Sequence, residues 1–249
     1  MIVEYHRPET LEEALELLAR PGVVTVPLGG GTSLNQPSPT PISVVDLQAL
    51  GLNTLAEKDK KLHIGATLTL QQLLDFEEDA ALQSAIRHQA TYNLRQVATV
   101  AGTLVAADGR SPLATALLAL AAELNILPGE ETQSLGDFLP LRAALQPGYL
   151  ITKIIIPSNI KFAYEYVART PADLPIVCAA CAQWPSGRTR VALGGYGSAP
   201  LLAMDGPESA GAEAAARDAY HEAADQWASA AYRSAVAAAL VRRCLDSRF

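Results

Sequence analysis

The stretch Val23-Val24-Thr25-Val26-Pro27-Leu28-Gly29-Gly30-Gly31-Thr32-Ser33-Leu34 combines a short apolar run with a glycine turn. The β-branched run before the glycines predicts a strand. Three successive glycines carry no Cβ, so the backbone there can adopt positive φ and approach a ligand closely. Amide N–H groups in such a turn can converge on an anion, and Thr32 and Ser33 add two hydroxyl donors. The stretch therefore predicts a phosphate or pyrophosphate site, with a plain tight turn as the alternative.

The spacing of these glycines differs from two well-known phosphate motifs. It matches neither G-x-G-x-x-G, the dinucleotide fingerprint, nor the P-loop G-x-x-x-x-G-K-S/T. A Rossmann nucleotide site and a P-loop nucleotide site are therefore not predicted.

Composition and charge narrow the class of protein. The chain has 249 residues, of which 49% are hydrophobic and 18% charged, which predicts a globular protein of two domains. A net charge of -7 disfavours nucleic acid and anionic membranes as main partners. No apolar run has the length of a membrane span, and the first residues do not resemble a signal peptide. Three cysteines are too few for a disulfide scaffold, so we expect a cytoplasmic protein.

The first half of the chain alternates helical and strand patterns. Thr10 and Glu13 form a predicted capping box for a helix over 11–18, and Ile42 to Leu47 form a second strand after the glycine turn. Further on, the pattern predicts strands at 62–66 and 150–156 and helices at 69–74, 81–92 and 113–124, the last buried nearly all round. Pro157 marks a boundary. This half is therefore predicted to be built from β-α-β type units.

The second half has a different pattern. Residues 162–167, 176–182 and 190–196 are predicted strands, and the first of them alternates as a half-buried antiparallel strand does. From Pro207 the chain is alanine-rich and predicted to be helical in two stretches. The sequence thus predicts an α+β C-terminal domain.

The remaining reactive side chains do not form a recognisable active site. Cys178 and Cys181 have the C-x-x-C spacing, which suggests a metal or redox pair, but three residues apart in a strand they would point to opposite faces. We expect Cys244, in a helix, to lie far away from both. The four histidines have no metal-ligand spacing, and no nucleophile with a base is evident. We therefore predict buried structural cysteines, no metal site and no catalytic residue in this chain.

Four segments in order resemble the FAD-binding medium subunits of molybdenum hydroxylases, of the carbon monoxide dehydrogenase and xanthine dehydrogenase types. The segment from Pro27 to Leu34 resembles their first flavin motif, and Leu94-Arg95 with Thr99-Val100-Ala101-Gly102-Thr103, then Asp108 and Ser111, resembles their second. Arg169 with Asp173 and Val177 resembles the signature that opens their C-terminal domain. Ala231-Tyr232-Arg233 and Leu240-Val241-Arg242-Arg243 resemble their closing helices.

The resemblance implies an α+β fold of two parts. Residues 1–157 would form an FAD-binding domain of the PCMH or vanillyl-alcohol-oxidase-like type, with subdomains at about 1–50 and 51–157 and FAD between them. Residues 158–249 would form a smaller α+β C-terminal domain of the carbon monoxide dehydrogenase flavoprotein type. FAD would be the cofactor. The implied FAD-binding residues are Leu28, Gly29, Gly30, Gly31, Thr32, Ser33, Leu34, Thr99, Ala101, Gly102, Thr103, Ala106, Asp108 and Leu150.

The resemblance also implies a function in electron transfer. In such complexes a molybdopterin large subunit oxidises the substrate, and a small subunit with two 2Fe-2S clusters passes the electrons on. FAD on the medium subunit then delivers them to an external acceptor such as NAD or a quinone. The alternative is a structural or assembly subunit of the same fold that has lost the flavin.

Some positions depart from the family pattern. Ala101 stands in place of a glycine, Thr103 in place of an asparagine and Pro112 in place of an aspartate, while Tyr166 replaces a lysine of some members. Loss of polar groups that hold a flavin predicts weaker FAD binding than is usual in the family.

Overall fold

A computed structural model describes residues 1–34, 40–129, 131–142 and 148–248. The strands are β1 (Ile2–His6), β2 (Thr25–Leu28), β3 (Ile42–Asp46), β4 (Leu55–Lys58), β5 (Lys61–Gly65), β6 (Glu123–Leu127), β7 (Glu131–Ser134), β8 (Leu150–Pro157), β9 (Lys161–Val167), β10 (Val177–Gln183), β11 (Thr189–Gly194) and β12 (Leu201–Gly206). The helices are α1 (Leu11–Ala19), α2 (Leu70–Phe76), α3 (Ala80–Gln89), α4 (Tyr92–Arg95), α5 (Val100–Val105), α6 (Pro112–Ala119), α7 (Leu135–Leu141), α8 (Ala212–Ala219) and α9 (Ala230–Arg248).

The chain packs into two units, each made of several segments. Unit 1 comprises residues 1–73, 92–106 and 123–155, and unit 2 comprises residues 74–91, 107–122 and 156–249. Packing thus assigns 74–91 and 107–122 to the unit that contains the C-terminal residues. The domain boundary at 157 remains a prediction.

Unit 1 begins with the predicted β-α-β arrangement. β1, β3 and β2 form a parallel sheet in that order, with Leu28 of β2 paired with Asp46 of β3. The Thr10 hydroxyl accepts the N–H of Glu13, so the predicted cap of α1 is present. Ala14 and Leu18 of α1 pack with Val45 in a small core. This sheet fixes the end of β2, from which the glycine turn leaves.

A second sheet in unit 1 has the order β4-β5-β8-β6-β7. The predicted strands at 62–66 and 150–156 are present as β5 and β8. β4, β6 and β7 carry mixed or short patterns and were not predicted. The predicted helix over 113–124 ends at Ala119, because Ala121 has a φ of 52° and the following residues enter β6.

Unit 2 is built on an antiparallel sheet of order β12-β11-β10-β9. Residues Val177 to Ala182 of β10 are all buried, because helices cover both faces: α6 packs on one, and α8 and α9 pack on the other. A strand covered on both faces needs no alternation, which explains its continuous apolar run. α6 is buried along its whole length, as predicted.

The architecture confirms the predicted α+β class, with strands and helices in both units. In the described ranges no helix is long and apolar enough to cross a membrane.

Candidate cofactor-binding site

The glycine turn packs directly against the segment that precedes α5. A Cβ on Gly30 would lie 1.7 Å from the carbonyl oxygen of Val97, and one on Gly29 would lie 2.7 Å from Oγ1 of Thr99. Gly31 has a φ of 69°, in the left-handed region that favours glycine. The turn therefore requires glycine for close approach and for conformation. The two segments that resemble flavin motifs meet here within unit 1.

The turn carries hydrogen-bond donors without protein acceptors. Within the part of the chain that the structure describes, no atom accepts a hydrogen bond from the backbone N–H of Gly30, Gly31, Thr32 or Ser33. The Thr32 and Ser33 hydroxyls have no partner there either. Backbone donors are normally paired, and a run of N–H groups without protein acceptors in a glycine turn can bind an anion.

A cavity of about 420 Å³ opens beside the turn in unit 1. This is within the range of small-molecule sites, and most of its walls are apolar. Among the lining residues that the structure describes, Arg142 carries a positive charge. The lining residues are Leu18, Val24–Pro27, Gly29–Leu34, Leu47, Ala66, Thr99, Ala101, Gly102, Val105, Ala106, Ile126, Phe138, Arg142 and Gly148–Ile151.

Most of the predicted site residues lie at this cavity, and three do not. Gly29 to Leu34, Thr99, Ala101, Gly102, Ala106 and Leu150 line it. The Leu28 side chain packs under Gly31 instead, and the Thr103 hydroxyl donates to the Thr99 carbonyl at 2.8 Å inside α5. Asp108 lies in unit 2, where its Oδ1 accepts the N–H of Arg110. The assignment of all these residues to FAD stays a prediction.

The sequence did not point to several residues of the cavity wall. Phe138 lies in α7, Arg142 follows the end of that helix and Tyr149 precedes β8, and none of these segments carries a motif. They belong to the connection between β7 and β8, two strands of the five-stranded sheet. No local pattern marks a residue that reaches a site through strand pairing.

The residues that resemble the C-terminal signatures organise unit 2. Arg233 is completely buried; its guanidinium pairs with both oxygens of Asp225 at 2.9 Å and donates to the carbonyl oxygens of Ile176, Ala223, Ala228 and Gly195. Arg169 and Arg110 both stack on the Trp227 ring, at 4.9 and 4.5 Å from its centroid. These residues join loops to α9 and hold the fold of the unit.

Two of the residues that depart from the family pattern have local roles in unit 2. Tyr166 packs against the His88 ring with 3.8 Å between centroids. Pro112 is the buried first residue of α6, where proline is well tolerated because that N–H needs no partner, and Ser111 caps the helix. Both positions thus serve packing in this chain.

The cysteines occupy opposite faces of β10, as expected from their spacing. Cys178 Sγ lies 3.7 Å from Oγ1 of Thr115 in α6, whereas Cys244 Sγ in α9 lies 3.7 Å from the Ala179 carbonyl. The expectation that Cys244 lies far from the pair was wrong, since Cys181 and Cys244 belong to the same buried cluster between β10 and α9. Burial raises the pKa of Cys178 to about 11. All three are free and buried, which fits structural thiols.

The first 159 residues match the model of a protein family described as "FAD binding domain in molybdopterin dehydrogenase". The chain belongs to this family. The predicted resemblance to the FAD-binding medium subunits of molybdenum hydroxylases is confirmed, and FAD is the cofactor. The chain is an oxidoreductase subunit of the FAD-binding medium type.

Related proteins cover most of the chain. It is 34% identical over 209 residues to the uncharacterized protein YgfM of Escherichia coli (strain K12), covering 82% of this chain and 79% of that protein. It is 28% identical to the carbon monoxide dehydrogenase medium chain of Afipia carboxidovorans, covering 98% and 95%. The structure of reconstituted CO dehydrogenase from Oligotropha carboxidovorans superposes with a TM-score of 0.81 at 27% identity, covering 98% and 96%.

The site residues fit a flavin dinucleotide. Unpaired N–H groups and two hydroxyls suit a pyrophosphate, and the glycines leave room for it to approach the backbone. The apolar walls suit aromatic rings, and Arg142 supplies a compensating charge.

Proposed function

We propose that this chain is the FAD-carrying electron-transfer subunit of a heteromeric molybdenum hydroxylase. Substrate would be oxidised at a molybdopterin centre on a large subunit, and 2Fe-2S clusters on a small subunit would pass the electrons to this chain. An external acceptor such as NAD or a quinone would then receive them. The observation that carries the proposal is the glycine turn with unpaired donors beside an apolar cavity.

The chain's own residues would bind and shield the cofactor. The N–H groups of Gly30 to Ser33 and the two hydroxyls would hold the pyrophosphate, and Arg142 would offset its charge. The apolar side chains of α5 and β8 that line the cavity would exclude water from the flavin. FAD, when bound, supplies a carrier that accepts and releases electrons between partners.

The names of two relatives support a role inside a complex. One is the medium chain of carbon monoxide dehydrogenase, and another is subunit alpha of the 6-hydroxypseudooxynicotine dehydrogenase complex of Paenarthrobacter nicotinovorans. We assign the same arrangement to this chain, with substrate specificity residing in the large subunit. We expect it to work in the cytoplasm, where its three free cysteines stay reduced.

An exposed apolar surface lies on the segment that walls the cavity. Tyr92, Leu94, Val97 and Val105 are 64%, 47%, 48% and 54% exposed, and Val105 also lines the cavity. Four exposed apolar side chains within 14 residues of chain favour a protein interface. We assign this surface, residues 92–105, to contact with the iron–sulfur subunit, which would bring the clusters near the flavin.

The test begins with the isolated chain. We expect the flavin-free chain to bind one FAD and the loaded chain to show a flavin absorbance spectrum. With purines, aldehydes or carbon monoxide and a dye acceptor, it should show no turnover until large and small subunits are added. Turnover by the chain alone would contradict the proposal. A folded chain that binds no FAD would favour the assembly subunit instead.

A further inference from the structure

The glycine turn is tied to the strand beside it by a side chain. Nε2 of Gln48 donates a hydrogen bond of 3.1 Å to the carbonyl oxygen of Gly29. Gln48 begins the short 3-10 turn that follows β3, so it lies beside the end of β2. This contact holds the carbonyl group of the first peptide in the turn.

Gln48 is itself held by a nearly buried carboxylate. Oδ1 of Asp46 accepts the backbone N–H of Gln48 at 3.0 Å, and Oδ2 accepts the Tyr5 hydroxyl. The Arg7 Nε lies 3.9 Å from the same Oδ2. Asp46 is only 7% exposed. Both carboxylate oxygens are thus engaged, and they fix the chain as it leaves β3.

The hydrogen bond at Gly29 determines where the next N–H points. In a trans peptide the C=O and the following N–H point in opposite directions. A Gly-Gly peptide has few steric barriers to rotation, so an external contact is needed to hold its plane. Holding the Gly29 oxygen toward Gln48 directs the Gly30 N–H, which has no acceptor among the described residues, to the other side.

We propose that Gln48 and Asp46 are positioning residues that hold the Gly29–Gly30 peptide so that the Gly30 N–H meets the FAD pyrophosphate. Gln48 acts on the peptide, and Asp46 acts through Gln48. The inference rests on the proposed function, in which the turn binds that group. Neither residue needs to touch the cofactor.

The test compares Gln48→Met with Gln72→Met in the flavin-free chain. Each change removes one side-chain hydrogen bond to the backbone, but the Gln72 contact is to the Thr69 N–H, which is not part of the cavity wall. We expect Gln48→Met to weaken both FAD and ADP about tenfold, and Gln72→Met to weaken neither. Asp46→Asn combined with Gln48→Met should weaken FAD no more than the stronger single change, since both act through one contact.

Glycine amide NMR separates positioning from a general loss of structure. With 15N-glycine, saturating ADP should shift the Gly30 amide of the wild type, and this shift should be much smaller in Gln48→Met while Gly102 responds as before. An unchanged Gly30 response, or equal ADP affinity for both methionine variants, would overturn the inference. A wild-type chain that binds neither FAD nor ADP would overturn the proposed function and this inference with it.

Discussion

The carbonyl oxygen of Val97 occupies the space that a Cβ atom on Gly30 would need, only 1.7 Å from its ideal position. This backbone oxygen cannot move aside as the end of a flexible side chain can. Gly30→Ala should therefore push the turn away from the segment before α5 and weaken FAD about tenfold or more, as overpacking costs about 1–3 kcal/mol. Gly30→Val should do so more strongly. FAD titration of the flavin-free variants measures the effect.

Gly211→Ala is the control for this prediction. Gly211, in unit 2, has a φ of 82° but nothing lies within 4 Å of its ideal Cβ, so the change strains the backbone without a collision. It should leave FAD affinity near the wild-type value. Wild-type affinity in a folded Gly30→Ala chain would show that the contact with Val97 does not shape the site.

We expect the positive charge of Arg142 at the cavity to strengthen binding of the FAD pyrophosphate. Arg142→Gln should weaken FAD about tenfold and make its affinity less dependent on salt, because a charge–charge attraction is lost. Arg142→Lys keeps the charge and should retain most of the affinity. Equal salt dependence in the wild type and Arg142→Gln would assign charge compensation to other residues.

The parts of this site that the sequence predicts are those that one continuous segment encodes. The glycine turn, its preceding strand and the Thr10 cap depend on neighbours in the chain, so local patterns sufficed. The contact of Gly30 with Val97, the bond from Gln48 to Gly29 and the cavity wall at Tyr149 depend on strand pairing and packing. No periodicity encodes such contacts.

The errors have equally physical causes. The apolar pattern of 113–124 continues past the helix end because β6 begins with buried residues too, so hydrophobicity alone could not find the change of element. Cys244 was expected far from Cys181 because sequence distance says nothing about a helix that packs back onto β10. In both cases tertiary packing decided the outcome.

The buried thiol of Cys178 should make stability fall at high pH. Burial raises its pKa from 9.0 to about 11, so between these values the folded state keeps a proton that the unfolded state loses. Its contribution is complete below pH 9.0 and should be lost as pH rises through about 11, by about 3 kcal/mol. Urea unfolding at several pH values measures this, with Cys178→Ala as comparison. If both chains lose stability in parallel, the thiol is not responsible.

Arg233 should be required for the fold of unit 2. Its guanidinium is fully buried, donates hydrogen bonds to four carbonyl oxygens and pairs with the Asp225 carboxylate. The single ammonium group of a lysine cannot reproduce this set of contacts. Arg233→Lys should lower the free energy of unfolding by about 2–4 kcal/mol in urea titration. Arg242→Lys, an exposed change on the same helix, should cost little. Similar losses for both variants would contradict this role.

The surface at 92–105 should bind the iron–sulfur subunit without being needed for FAD. Leu94 is 47% exposed, so Leu94→Glu places a carboxylate on the interface but costs the isolated chain little stability. We expect normal FAD affinity, with loss of co-elution with the small subunit in size-exclusion chromatography and loss of electron transfer in the reconstituted complex. Leu202→Glu changes a leucine of similar exposure, 40%, in β12 of unit 2 and should leave assembly intact. If Leu94→Glu assembles normally while Leu202→Glu does not, the surface at 92–105 is not the interface and the small subunit binds unit 2 instead.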